Sequence, residues 1–334
     1  MTAPRVSVIV PCYNLGRYLG EALDSVFAQT FQDFEIVVVD DGSNDESTLR
    51  SLDALDRSRT RVISSPNRGL PAAKNLGVTH TTGAYVCALD ADDRLMPRML
   101  EKSAAVLDAD PGVAFVSHWL RTFGDEATDW TPTDCGFPAL LDMNTVNGAA
   151  LVRRGALEAV GGFDESFRDG CEDWDLWIAL VERGLHGVIL PEILFEYRRR
   201  VGSMSRVMLH REGHPALYRR IVDKHAATFA DHLDVLLARR ERDLGALLLQ
   251  MHDIDLDRYQ TLVPDLAKLR DDVAVLEGRI GAAATHRRLA QAESEAARAR
   301  AEVDALRASA SWRITAPLRA VYDRLLALRS GPRS

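Results

Sequence analysis

Three carboxylates stand within four residues in Asp90-Ala91-Asp92-Asp93, directly after the apolar run Ala84–Leu89. Such neighbours repel one another, and a hard cation with oxygen ligands, Mg²⁺ or Mn²⁺, removes that penalty. Mg²⁺ keeps part of its water shell and reaches phosphate oxygens, so the segment outlines a diphosphate–metal site. A solvated acidic loop capping a helix is the other reading. Asp40-Asp41-Gly42-Ser43 offers a carboxylate that can accept hydrogen bonds from a nucleobase or ribose, although Asp and Gly also simply suit a turn. Glu172-Asp173-Trp174-Asp175-Leu176-Trp177 opens a helix whose apolar face is Trp174, Trp177, Ile178 and Val181. Acids at a helix start favour the dipole, but one of them can also take a proton from an incoming hydroxyl. An ordinary Asp, with a pKa of about 3.9, is a weak base and works only when positioned against a proton lost late in the reaction.

Alternating strands and helices must position these groups. Val6–Val10, closed by Pro11, reads as a strand buried on both faces. Leu19, Leu23, Val26 and Phe27 recur at helical spacing, Phe34–Val39 is a second buried strand, Ala72–Val78 a short helix and Ala84–Leu89 a third strand. This rhythm predicts an α/β domain with a mostly parallel sheet. Ligands of such sheets bind beyond the carboxyl ends of strands. If the three strands are neighbours, Tyr13-Asn14, Asp40-Asp41 and Asp90-Ala91-Asp92 converge on one crevice.

From Pro215 onward Gly and Pro become rare. Leu262, Leu266, Leu269, Val273, Leu276 and Ile280 alternate spacings of four and three. After a slip near Arg287–Leu289 the pattern resumes through Ala292, Ala296, Ala299, Val303 and Leu306. That is a coiled-coil heptad pattern, with a single helix packed back on its own domain as the alternative. In the last segment Ile314, Leu318, Val321, Tyr322 and Leu325 share a helical face, and Arg313, Arg319, Arg324 and Arg329 mostly lie off it. A basic helix of this kind lies in a bilayer interface or docks on its own protein. The expected divisions are 1–214 for the α/β domain, 215–260 for a helical extension, 261–308 for the coiled coil and 309–334 for the basic amphipathic tail.

Composition narrows the function classes. The 334 residues carry 41 Lys+Arg against 49 Asp+Glu, a net charge of −8, which argues against bulk nucleic-acid binding. With 46% hydrophobic and 27% charged residues the chain is ordinary globular protein. Cys12, Cys87, Cys135 and Cys171 are far apart, so neither a zinc ribbon nor a disulfide scaffold is indicated, and reduced thiols are expected. No run reaches the ~20 apolar residues of a membrane span. A cytoplasmic protein is expected, with any membrane contact peripheral, at the inner face of the cell membrane. No G-x-G-x-x-G follows the first strand, and P-loop, H-E-x-x-H and G-x-S-x-G motifs are missing.

Taken in order, VSVIVPCYN, FEIVVVDDGSNDES, NRGLPAAKNLG, GAYVCALDADD, GGFDESF and CEDWDLWIAL resemble the family 2 glycosyltransferases of the GT-A fold, over residues 5–205. The resemblance implies a nucleotide-sugar donor, a divalent cation (Mn or Mg) and inversion at the anomeric carbon by single displacement. It puts Pro11, Tyr13, Asn14, Asp41, Lys74 and Asp90 at the donor nucleotide, Tyr13 and Asp41 at its base, and makes Asp90 and Asp92 the D-x-D, with Asp92 the direct metal ligand. Lys74 stands where many members carry Arg. Asp173 falls at the catalytic base, with Glu172 beside it. Tyr197-Arg198-Arg199-Arg200-Val201-Gly202-Ser203 departs from the family's Y-R-x-H-x-x-S, because Arg200 replaces a His that can contact metal or diphosphate. Arginine cannot ligate a cation but binds phosphate bidentately, so Arg198 to Arg200 are expected to grip the diphosphate. His210 and His214 are the other candidates for the missing ligand.

The segment Ser311-Trp312-Arg313-Ile314-Thr315-Ala316-Pro317-Leu318-Arg319 after a coiled coil resembles the ends of some bacterial surface-polysaccharide glycosyltransferases. This implies a glycan or lipid-linked glycan acceptor, polysaccharide synthesis and a homo-oligomer. Acceptor choice is expected between Trp119 and Asn147, where Trp119, Trp130 and Phe137 read as surface-loop or core aromatics. Two other classes compete: an impaired transferase serving as a coiled-coil scaffold, and a nucleotidyltransferase. The latter typically needs a Gly-rich basic loop after the first strand, and Pro11-Cys12-Tyr13-Asn14 is not one.

Overall fold

Val6–Cys12 (β1) is buried at every position, as its β-branched run requires. A computed structural model describes residues 3–200 and 213–252, with 268, 271, 272, 274 and 275. The strands are β1, β2 (Phe34–Asp40), β3 (Thr60–Ser64), β4 (Tyr85–Ala88), β5 (Arg94–Leu95), β6 (Val113–Gly124), β7 (Asp129–Trp130), β8 (Leu151–Arg153) and β9 (His186–Arg199). They form one sheet ordered β3-β2-β1-β4-β8-β6-β9-β5, with β7 paired to β6.

The strands β3, β2, β1 and β4 are mutually parallel, as the strand–helix rhythm demands. Beyond them the sheet is mixed. β8 runs antiparallel to β4 and β6, β5 antiparallel to β9, and β6 parallel to β9. The helices are α1 (Gly16–Phe27), α2 (Glu46–Asp53), α3 (Leu70–Thr79), α4 (Met99–Ala109), α5 (Ala139–Asp142), α6 (Arg154–Ala159), α7 (Glu172–Glu182), α8 (Gly213–Lys224), α9 (Ala226–Asp231) and α10 (Leu233–His252). Leu19, Leu23 and Val26 of α1 are buried, as their spacing predicts. One core joins α1 and α4 to strands β1, β2, β4, β6 and β9.

Two strands depart from expectation. β1 continues through Pro11 because β4 ends opposite Ile9, so Pro11 has a paired neighbour, Val39, on one side only. β3 escapes the hydrophobic pattern because it is an edge strand with no fully buried residue.

The chain forms two compact units, Met1–Thr228 and Phe229–Ser334. The first includes α8. In the second, Arg240 of α10 lies 3.3 Å from Asp272, at a helical position. The heptads of 261–308, those few positions aside, and the tail of 309–334 lie outside the described residues. No helix among the described residues is long and apolar enough to cross a membrane.

Candidate active site

Parallel register brings the strand ends together. Cys12 faces Asp40 and Ala88 faces Ile9. The Asp41 amide donates to the Cys12 carbonyl (2.9 Å) and the Leu89 amide to the Ile9 carbonyl (2.8 Å). Asn14, Asp41 and Asp90 thus leave one edge of the sheet, in the crevice where such folds bind ligands. Asn14 adopts φ 55° and ties the first two loops together. Its Nδ2 donates to Asn44 Oδ1 (2.8 Å) and its Oδ1 accepts from the Asn44 amide (2.9 Å). Tyr13 is left 44% exposed, an open aromatic face at the crevice. Pro11 is buried.

Asp41 is buried, and its two oxygens accept from the amides of Arg68 (2.8 Å) and Gly69 (2.9 Å). It therefore organises the loop before α3. Gly42 is obligatory there, because φ is +74° and a Cβ would come within 2.6 Å of the Asn67 amide nitrogen.

Below the strand ends lies a buried charge cluster. Lys74 of α3, 2% exposed, donates from Nζ to Glu172 Oε1 at 2.7 Å and sits 3.9 Å from Asp90 Oδ1. Burial opposes its charge, but Glu172, Asp90 and Asp173 outweigh burial and raise its pKa. Glu172 thereby ties α3 to the start of α7, directly beside Asp173. Lys74 holds these carboxylates from within.

Asp173, in the first turn of α7, accepts from the Trp174 amide at Oδ1 (2.7 Å) and from Asn144 Nδ2 at Oδ2 (3.2 Å). Burial, and then repulsion from Glu172, push its pKa up to about 7, with Lys74 pulling the other way. A carboxylate tuned to neutral pH and held on both oxygens suits a general base.

Antiparallel pairing of β5 with β9 carries Tyr197 to Arg200 alongside the D-x-D. Arg198 is fully engaged by the protein: its amide donates to Asp93 Oδ1, its Nε to the Asp92 carbonyl and its Nη2 to Glu21, each at 2.7 Å. Its guanidinium also lies over Phe123 and Tyr18. Arg199 reaches Glu126 at 3.6 Å. Arg200 Nε donates to Asp92 Oδ2 at 2.7 Å. His210 lies outside the described residues, and His214 falls in the first turn of α8.

For a divalent cation the chemistry of the donor set fits. Although the Asp90 side chain is 39% exposed, its Oδ1 is a buried acceptor without a hydrogen-bond partner. Burial, against the pull of Lys74, raises the Asp90 pKa to about 6, with Asp92 and Glu172 adding to the rise. An ion beside Asp90 and Asp92 would reverse that rise. Among the described residues no three His, Cys, Asp or Glu side chains gather closely enough to hold an ion alone. Water and phosphate oxygens would complete the shell, as Mg²⁺ accepts.

Two functional contacts escaped the motif reading. Asn75 of α3 donates to the Phe163 carbonyl (2.8 Å) and accepts from the Phe163 amide (2.9 Å), joining NRGLPAAKNLG to GGFDESF. Its place inside the quoted segment was the available signal. Asn144, by contrast, carries no local pattern. Trp119 Nε1 donates to the Pro132 carbonyl (3.0 Å), and Trp130 packs on the core, as expected of structural aromatics.

The family model for glycosyl transferase family 2 matches residues 7–161. EpsE of Bacillus subtilis strain 168 is 30% identical over 215 residues, 61% of this chain and 77% of that protein. The glycosyltransferase GlyG of Streptococcus pneumoniae is 40% identical over 98 residues, 29% of this chain and 33% of that protein. The chain thus spans most of EpsE but a third of GlyG. The crystal structure of S. aureus TarS 1–349 in complex with UDP-GlcNAc superposes with a TM-score of 0.52 at 17% identity, covering 82% of this chain and 90% of that one, a likeness of fold. This chain belongs to glycosyl transferase family 2, and its α/β unit is GT-A-like.

Proposed function

We propose that this glycosyltransferase moves a sugar from a nucleoside-diphosphate donor to a hydroxyl of a glycan or lipid-linked glycan, with inversion, in cell-surface polysaccharide synthesis. The observation that carries the reading is Asp173, a base candidate near neutral pKa, gathered around Lys74 with Asp90 of the D-x-D. The acceptor oxygen forms its bond to the anomeric carbon as the bond to the diphosphate breaks on the opposite face. Asp173 takes the hydroxyl proton as that oxygen attacks, and Asn144 keeps its carboxylate aligned. Tyr13 offers an exposed ring for the base, while Asn14 and Asp41 hold the loops that shape its pocket.

Asp90 and Asp92 would hold a divalent cation, Mn or Mg, which when bound neutralises charge on the departing diphosphate. The heptads would pair chains into a homo-oligomer, and the basic tail would touch the inner face of the cell membrane.

The test is a thermal-shift screen of nucleotide sugars and diphosphates with Mn²⁺, Mg²⁺ or EDTA. A bound ligand raises the melting temperature by mass action. A metal-dependent shift with one nucleotide, lost in Asp92→Ala, supports the donor reading. Donor hydrolysis or transfer separates the enzyme from a scaffold. Absence of any shift or turnover moves the reading to the scaffold.

A further inference from the structure

Arg200 is the first residue past the last position of β9, so the sheet no longer fixes it. Among the described residues its one hydrogen-bonded side-chain partner is Asp92, through Nε at 2.7 Å, and its guanidinium rests 5.8 Å from the Tyr18 ring. The two side chains are 23% and 13% exposed, so water screens the pair only in part. Arginine does not shed its charge at any accessible pH. The neighbouring Arg198 differs: the protein anchors it to Glu21, to the Asp92 carbonyl and, through its amide, to Asp93.

We propose that Arg200 is the resident counter-cation of Asp92, which a divalent ion must displace, so that ion and donor diphosphate bind cooperatively. The inference rests on the reading of Asp92 as a cation ligand. Mg²⁺ demands a carboxylate oxygen at about 2.0–2.1 Å. With the guanidinium still on the same Asp92 oxygen, two positive centres would lie within about 5 Å of each other and repel strongly. A diphosphate resolves the conflict because it offers the forked acceptors that guanidinium matches bidentately. Arg200 passes to phosphate oxygens as the ion takes Asp92. By linkage, each ligand then raises the affinity of the other by the same factor. An arginine that cannot ligate the ion thereby makes ion binding conditional on donor.

The test is Mn²⁺ binding to the full chain without donor, read from the loss of the free-ion EPR signal. Arg200→Ala is expected to bind Mn²⁺ about tenfold more tightly than wild type, the factor set by one charge-assisted hydrogen bond. Arg199→Ala, which removes an equal charge next door, should leave the affinity within about twofold. Adding Asp92→Asn to Arg200→Ala should abolish the gain. Equal or weaker binding by Arg200→Ala, or a gain that survives Asp92→Asn, overturns the proposal while leaving the cation site standing. No Mn²⁺ binding by any variant, with or without UDP, instead overturns the cation site itself.

Discussion

Lys74 and Glu172, 98 residues apart in sequence, meet at 2.7 Å with both side chains almost wholly buried. The contact fastens α3, which follows the loop held by Asp41, to the start of α7, which carries Asp173. Removing one partner strands the other charge in the interior. Lys74→Met is therefore expected to cost about 3–5 kcal/mol of stability. The double change Lys74→Met, Glu172→Leu should recover most of it, because a buried pair is worth little over a packed apolar one. Urea denaturation of the two variants decides it. A single-variant loss below about 1 kcal/mol would show that water reaches the pair.

Asp173 acts as a base only when ionised. Burial first, and then Glu172, hold its pKa at about 7, so kcat/KM should rise with pH through about 7 and not near the ordinary carboxylate value of about 4. Asp90, held up at about 6 in the ion-free protein, should add a second ionisation to the acidic limb only at sub-saturating divalent cation, because a bound ion reverses the rise. The sign for stability is the opposite. The fold disfavours both charged forms, so their contribution worsens as pH climbs from the unfolded value through the folded one. A pH–rate profile and the Asp173→Asn variant test this together. Asn should lower kcat by roughly 10²–10⁴-fold with the fold intact. A flat profile between pH 5 and 8 would remove Asp173 from the base role.

Asn75 clasps the backbone of Phe163 from both sides. Asn75→Ala leaves that amide and carbonyl without their partner and should cost roughly 1–3 kcal/mol. Asn75→Asp loses the donated bond and sets a carboxylate against the Phe163 carbonyl, so it should be the worse of the two. Melting temperatures of the pair give the order, and the reverse order would mean the clasp is unimportant.

The heptads predict association through residues 261–308. Removing everything after Gly278 is expected to lower the assembly state in light scattering. A truncated chain of unchanged oligomeric order would assign association to another part of the molecule.

Much of the donor edge is legible along the chain because its elements are local. Buried parallel strands demand continuous apolar runs, and polar residues at their ends mark where the sheet stops, as Cys12–Asn14, Asp40–Asp41 and Leu89–Asp92 illustrate. What those residues do was less legible. Asp41 and Glu172 read as groups facing a ligand, and the structure adds that they hold backbone amides and a buried lysine. A carboxylate at a strand end or helix start looks the same in sequence whether its partner is a ligand or a distant segment.

By itself the sequence determined the α/β class, the parallel strands that converge on one edge, the start of α7 and the family. Each rests on residue periodicity or on motifs a few residues long. Only the tertiary structure decided that β5 pairs with β9, and through it that Arg200 meets Asp92. It likewise decided that Asn144 reaches Asp173 and that Lys74 is enclosed by acids from two other segments. Those contacts join segments far apart in the chain, and their energies depend on burial. A short stretch of sequence encodes neither the partner nor the loss of water around it.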